Sequence, residues 1–189
     1  VYKRQISYAA QIQNAIIPQP SILDKYFDEH FVIWEPKDTV GGDIYLFEEL
    51  RNDDESLLMV IDCTGHGVAG AFVTMLVKAI EREIIGAIIA SQEEVSPARI
   101  LQHFNKIMKK LLKQEEANTH ADSGFDGGVI YINKKQKILR FEKNNWHLLK
   151  YVIYLHYPNF MRNKIILFEW FLRLTPDAYM PYAIKFVWP

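Results

Sequence analysis

The chain contains a single cysteine, Cys63, which excludes an internal disulfide and any thiolate cluster for zinc. A reducing compartment is the expectation, with the cytoplasm as the default. Charge of one sign is lacking too. Lys and Arg number 22 against 23 Asp and Glu, so no overall field favours nucleic acid or an acidic membrane surface. No run of about 18 uncharged apolar residues occurs; the nearest candidate, around Ile84 to Ala90, is too short to cross a bilayer. Neither nucleic acid nor a membrane segment is expected. There is also no signal-peptide pattern and no initiating Met: the chain opens at Val1, which points to a fragment with an N-terminal neighbour.

What is present is a chain of 189 residues, 49% of them hydrophobic, enough for the core of one domain with an appendage. Ile6, Ala9, Ala10, Ile12, Ala15 and Ile16 recur at helical spacing until Pro18 and Pro20. They predict a helix over Tyr2 to Ile17. This N-terminal segment, residues 1–20, reads as a linker or regulatory helix, or as a helix packed on its own domain. Phe31 to Trp34 predicts a short strand ended by Pro36, and Asp43 to Leu50 a second. After a charged hairpin tip at Asn52 to Glu55, the apolar run Leu57 to Ile61 suits a central strand buried on both faces.

Helical period returns after Gly67 and runs to about Ala90, with Val68, Phe72, Met75, Leu76, Ala79 and Ile80 predicted to face the core. Lys78, Glu81, Arg82 and Glu83 are predicted to point away. Ser96-Pro97 provides an N-cap and a first-turn proline for another helix, with Ile100, Leu101, Phe104, Ile107, Met108 and Leu111 inward. Its lysines, Lys106, Lys109, Lys110 and Lys113, read as a solvated face. Gly124-Phe125-Asp126-Gly127-Gly128 introduces a strand at Val129 to Ile132, and Lys137 to Phe141 predicts another. The order implies an α+β fold of antiparallel hairpins with paired helices on a sheet.

Asp43 and Asp62 are the candidate catalytic and metal-ligating residues. Each ends a predicted strand among glycines, Gly41-Gly42-Asp43 and Asp62-Cys63-Thr64-Gly65-His66-Gly67. Carboxylate oxygens suit hard cations such as magnesium, manganese or calcium. His66 has two readings, a general acid or a turn-fixing hydrogen bonder, and the second is favoured. Thr64 reads as a helix cap rather than a nucleophile, and Cys63, with no basic activator, as a small buried residue.

The ordered combination Val-Gly-Gly-Asp, one hairpin, Leu-Leu-Met-Val-Ile, then Asp-Cys-Thr-Gly-His-Gly resembles the metal-dependent Ser/Thr protein phosphatases of the PPM class. Within that class it is most similar to the bacterial sporulation stage II E-like branch. A helix like Gln11 to Pro18 precedes the core in that branch, and the similarity covers about Ala10 to Phe141. The resemblance implies antiparallel β-sheets sandwiched by helix pairs and hydrolysis of phosphoserine or phosphothreonine on a regulatory partner, such as an anti-sigma-factor antagonist. It also implies a two-metal centre of Mn2+ or Mg2+ with Asp43, Asp62 and the Cys63 backbone carbonyl as ligands. An upstream sensor domain follows from the same resemblance, and a homodimer is compatible with it. Asp126, in a segment resembling a sensor-linked subgroup, is either a third metal carboxylate or a pin for its loop.

The resemblance fades toward the C-terminus. The family's later aspartates, in a Ser/Thr-Asp-Gly turn and an Asp-Asp or Asp-Asn pair, have no counterpart; Asp177 is the lone aspartate after Asp126 and a weak substitute ligand. All nine glycines lie at or before Gly128, although hairpins normally need glycine in their turns. About half of the aromatics, including Trp146, Trp170 and Trp188, follow Phe141. The chain therefore divides into residues 1–20, a partial phosphatase-like core at 21–141 and an aromatic-rich tail at 142–189. The tail is either a divergent subdomain or a non-native translation past about Glu142; the abrupt change favours the second, and poor packing on the core is then expected. Two functions follow: a phosphatase, inactive if its ligands are incomplete, or a non-catalytic partner-binding module on the same fold. A third, another metal-dependent phosphoesterase, would change only the substrate.

Overall fold

The computed structural model describes residues 2–27, 29–34, 36, 38–114, 123–144 and 182–187. In chain order its elements are α1 (Tyr2–Ile16), α2 (Ser21–Asp24), β1 (Glu29–Trp34), β2 (Asp43–Glu49), β3 (Glu55–Cys63), α3 (Gly67–Ala90), α4 (Pro97–Leu111), β4 (Phe125–Asn133), β5 (Ile138–Asn144) and β6 (Tyr182–Val187). They fall into two compact units. The first comprises Val1–Ile17 with Asp38–Asn145, the second Pro18–Lys37 with Trp146–Pro189. Asp177, Trp146, Trp170 and Trp188 lie outside the described residues.

The first unit is built on a four-stranded antiparallel sheet in the order β2-β3-β4-β5. Side chains alternate across a strand, and both faces of the sheet are apolar. Ile44, Leu46, Leu57, Met59, Ile61, Val129 and Tyr131 join Val77, Ile80, Ile84, Ile100, Leu101, Phe104 and Met108 of α3 and α4 in one buried core. On the opposite face, Tyr45, Phe47, Leu58, Val60, Ile130 and Ile132 are also buried. This two-sided burial explains why β3 reads as a continuous apolar run. The fold is α+β with an antiparallel sheet and packed helices, as expected.

Local chemistry sets most boundaries. Ser96 accepts a hydrogen bond from the Arg99 amide at 3.4 Å and Pro97 opens α4, a standard cap. The α4 lysines are exposed, as a solvated face requires. Two helix faces differ from expectation. In α3, Phe72 is 67% exposed and Val68 38%, while Gly70, Ala71, Thr74, Val77 and Glu81 are buried. The helix is apolar nearly all round, so periodicity could not select its inner side, and Gly70 sits where the helix closely approaches the Gly42 and Gly65 backbone. Leu111, in the last turn of α4, is also exposed.

β4 begins at Phe125 rather than at Val129. A Cβ on Gly127 would fall 2.6 Å from the Val60 carbonyl oxygen. The glycines that read as a loop are thus the price of close strand approach. In the second unit β1 pairs antiparallel with β6, Glu29 opposite Val187 and Trp34 opposite Tyr182.

Candidate metal centre

The candidate site begins where the sheet loses its apolar side chains. Asp43 is directly opposite Asp62 in the β2–β3 ladder, and Asp62 is directly opposite Asp126 in the β3–β4 ladder. By strand alternation the three share a face with Tyr45, Phe47, Leu58, Val60, Ile130 and Ile132, away from α3 and α4. They form a row of half-buried carboxylates at one end of that face. Asp126, left open between a site role and a loop pin, is thus in the row, one strand from Asp62.

Crowding like charges at a partly desolvated strand end is unfavourable unless a proton or cation intervenes. The Asp43 carboxyl is pushed up to about 8, by burial first and then by the Asp62 charge and hydrogen bond. Asp62 is also raised, mainly by burial, with Asp126 adding to the rise and the hydrogen bond from Asp43 opposing it. The two carboxyls are joined by a hydrogen bond that raises Asp43 and lowers Asp62, the pattern of Asp43 donating and Asp62 accepting.

The turns around the row are close-packed backbone. A Cβ on Gly42 would lie 2.4 Å from the Gly65 carbonyl oxygen and 2.7 Å from that of Cys63; one on Gly70 would lie 2.6 Å from both Gly42 Cα and the Gly65 oxygen. Three glycines thus interlock the entry to β2, the exit from β3 and the first turn of α3. Gly65 and Gly67 have φ of 102° and 59°, the left-handed region that glycine occupies without strain. The Cys63 amide donates to the Gly42 carbonyl at 2.9 Å.

Thr64 and His66 behave differently from one another. Thr64 does not cap α3: its Oγ1 accepts a hydrogen bond from the Gly124 amide at 3.0 Å, and its own amide donates to the Gly124 carbonyl at 2.9 Å. It fastens the β3 exit to the entry of β4, two residues before Asp126. The cap position belongs to His66, which makes no capping hydrogen bond through its side chain. His66 is 82% exposed and its Nδ1 lies 3.5 Å from Asp38 Oδ2. Cys63 is buried, and burial followed by the Asp62 and Asp43 charges pushes its thiol well above the usual range, which removes it as a thiolate nucleophile.

Gln13 was missed altogether. It is fully buried beside the Gly41 backbone, and its signal was a polar residue at a core position of the α1 period.

The donor set suits a hard divalent cation: oxygen ligands, crowded enough that replacing a shared proton by a cation relieves repulsion. The Gly42 and Gly65 backbones, free of Cβ atoms, leave the Cys63 carbonyl close by. The row is linear, however. Among the described residues no three His, Cys, Asp or Glu side chains converge on a single ion position. A cation held by this row would need further ligands beyond these carboxylates.

Residues 52–134 match the family described as Stage II sporulation protein E (SpoIIE). That span contains Asp62, Cys63 and Asp126 but starts after Asp43. Among solved structures, the SiaA-PP2C domain of Pseudomonas aeruginosa is 32% identical and superposes with a TM-score of 0.63, over 75% of this chain and 53% of that one. This chain spans about half the length of that structure. No curated protein matches.

Proposed function

We propose, from the premise that this chain belongs to the SpoIIE-like branch of the PPM-class phosphatases, that it carries the ligands of a metal-dependent centre for phosphoserine or phosphothreonine hydrolysis. The observation that carries the reading is the row Asp43, Asp62, Asp126 across three adjacent strands. Asp43 and Asp62 would hold the metals, with Asp126 extending the row and the Cys63 carbonyl adding a neutral oxygen. Asp177 stays a substitute ligand from outside the described residues.

Mn2+ or Mg2+ bound there supplies an acidified water and neutralises charge on the phosphoryl oxygens. The residues' own contribution is to hold hard anionic oxygens in a fixed line before the cation arrives. The interlocked glycines at Gly42, Gly65 and Gly70 keep that line from relaxing. His66 is exposed beside Asp38 and acts on the turn rather than as an acid.

The substrate on this reading is a phosphorylated bacterial regulatory protein, an anti-sigma-factor antagonist being the expected kind, encountered in the cytoplasm and controlled by a sensor upstream of α1. A homodimer fits the same scheme. Among the described residues no helix is long and apolar enough to cross a membrane. The test is Mn2+-dependent release of phosphate from a phosphoserine protein by the chain and by Asp62→Asn; equal turnover by the two would reject the site.

One observation favours a second reading, a non-catalytic partner-binding module: the carboxylates do not converge on one ion among the described residues. Calorimetry separates the two, because tight partner binding with no Mn2+ binding belongs only to the module.

A further inference from the structure

α1 sends one polar side chain into the core. Gln13 is 1% exposed and lies where the period of Ile6, Ala9, Ala10 and Ile16 calls for an apolar residue. A buried primary amide is tolerated only when its donors and acceptor are used. Gln13 uses them on one target: its Oε1 accepts from the Gly41 amide at 3.0 Å, and its Nε2 donates to the Gly41 carbonyl at 2.7 Å. The second Nε2 proton goes to Thr74 Oγ1 at 3.0 Å, whose hydroxyl donates to the Ala71 carbonyl at 2.8 Å.

The amide therefore pairs with the Gly41 backbone as a neighbouring strand would. Gly41 leads directly into Gly42, wedged against Gly65 and Gly70, and then into Asp43, the first residue of β2. α1 is thus tied to Gly41, two residues before Asp43, and through Thr74 to α3.

We propose that Gln13 is a positioning residue for the carboxylate row: it fixes the Gly41-Gly42 backbone so that Asp43 stays opposed to Asp62, and cation affinity then depends on the docking of α1. The inference rests on the metal-centre reading above. Gln13 itself touches neither metal nor substrate. Its neighbour in α1, Ile16, packs against the hydrophobic core through a side chain that cannot hydrogen-bond to the Gly41 backbone, which makes it the control.

The experiment compares wild type, Gln13→Met and Ile16→Ala as full chains by Mn2+ calorimetry, thermal melting and hydrogen exchange at the Gly41 to Asp43 amides. Met keeps the volume and loses every hydrogen bond. Gln13→Met is expected to weaken Mn2+ binding about tenfold, the usual scale for groups that orient metal ligands, and to speed exchange at those amides. Ile16→Ala should melt lower yet bind Mn2+ as wild type does. Equal Mn2+ affinity in wild type and Gln13→Met, or equal losses in both variants at matched melting temperature, overturns the proposal. If Gln13→Met does not fold, Thr74→Val decides, because it removes one of the three bonds: a smaller loss of affinity supports the role and no loss overturns it. A wild type that binds no Mn2+ overturns the metal-centre reading instead. The exchange rates then judge Gln13 alone, faster exchange supporting it and unchanged exchange overturning it.

Discussion

Asp62 stands directly opposite Asp126 across the β3–β4 ladder, although α3 and α4 separate the two in the chain. With Asp43 opposite Asp62 on the other side, the middle strand carries a carboxylate flanked by two others. Directly opposed like charges weaken a sheet, so the row costs stability that a bound cation would return.

Removing the central charge should therefore stabilise the metal-free protein while ending its response to metal. Asp62→Asn is expected to unfold about 1 kcal/mol less readily than wild type without metal, the scale of a relieved like-charge contact. Added Mn2+ should raise the melting temperature of wild type and leave the variant unmoved. Melting curves with and without MnCl2 check both; a variant still raised by Mn2+ would remove Asp62 from the site.

The glycine interlock predicts opposite signs for similar substitutions. Gly42→Ala and Gly70→Ala each place a Cβ within 2.4–2.6 Å of backbone atoms, which cannot rotate aside, and should each cost about 2–3 kcal/mol. Gly86→Ala, in mid-α3 with nothing within 4 Å, should gain about 0.5–1 kcal/mol from helix propensity. Urea unfolding of the three variants tests the contrast, and a neutral Gly42→Ala would contradict the packing of that turn.

Thr64 links Asp126 to the turn after Asp62. Thr64→Val keeps the shape and removes the acceptor for the Gly124 amide, at a cost of about 1 kcal/mol. Hydrogen exchange should quicken at Gly124 through Asp126 and stay unchanged in the β2–β3 hairpin. Uniform acceleration across the sheet would instead mark a general loss of stability.

Glu81 predicts a pH dependence. Its carboxylate is fully buried between Lys78 of its own helix, whose Nζ lies 2.9 Å from Oε2, and Glu48 of β2, which Lys78 also contacts at 2.6 Å. Burial first and then Glu48 push it up to about 7, with Lys78 opposing the rise. The folded state thus holds a proton that the unfolded chain releases at lower pH. Stability from this group is full below the ordinary carboxylate range and is lost as pH rises toward 7, where the loss levels off. Glu81→Gln should remove that slope, matching wild type near pH 4 and exceeding it at pH 8 by on the order of 2 kcal/mol. Parallel stability curves for the two proteins across pH 4–8 would contradict this.

Consecutive residues by themselves determined the punctuation of the chain. The glycines at Gly65 and Gly67 started α3, Ser96-Pro97 started α4, the Asn52 to Glu55 tip turned β2 into β3, and unbroken apolar character marked β3 as central. Those features act through backbone angles and side chains only a few positions apart, so they are legible in order along the chain. The first two carboxylates were legible for the same reason, each lying in a local strand-to-turn motif. Only the tertiary structure decided which side of α3 is buried, because an almost wholly apolar helix offers its period no contrast; hence Glu81 is inside and Phe72 outside. It also decided that Asp126 joins Asp43 and Asp62, that Thr64 serves β4 rather than α3, and that Gln13 reaches Gly41. Each of these depends on strand register or helix docking between segments distant in sequence, and register is set by packing the whole sheet at once.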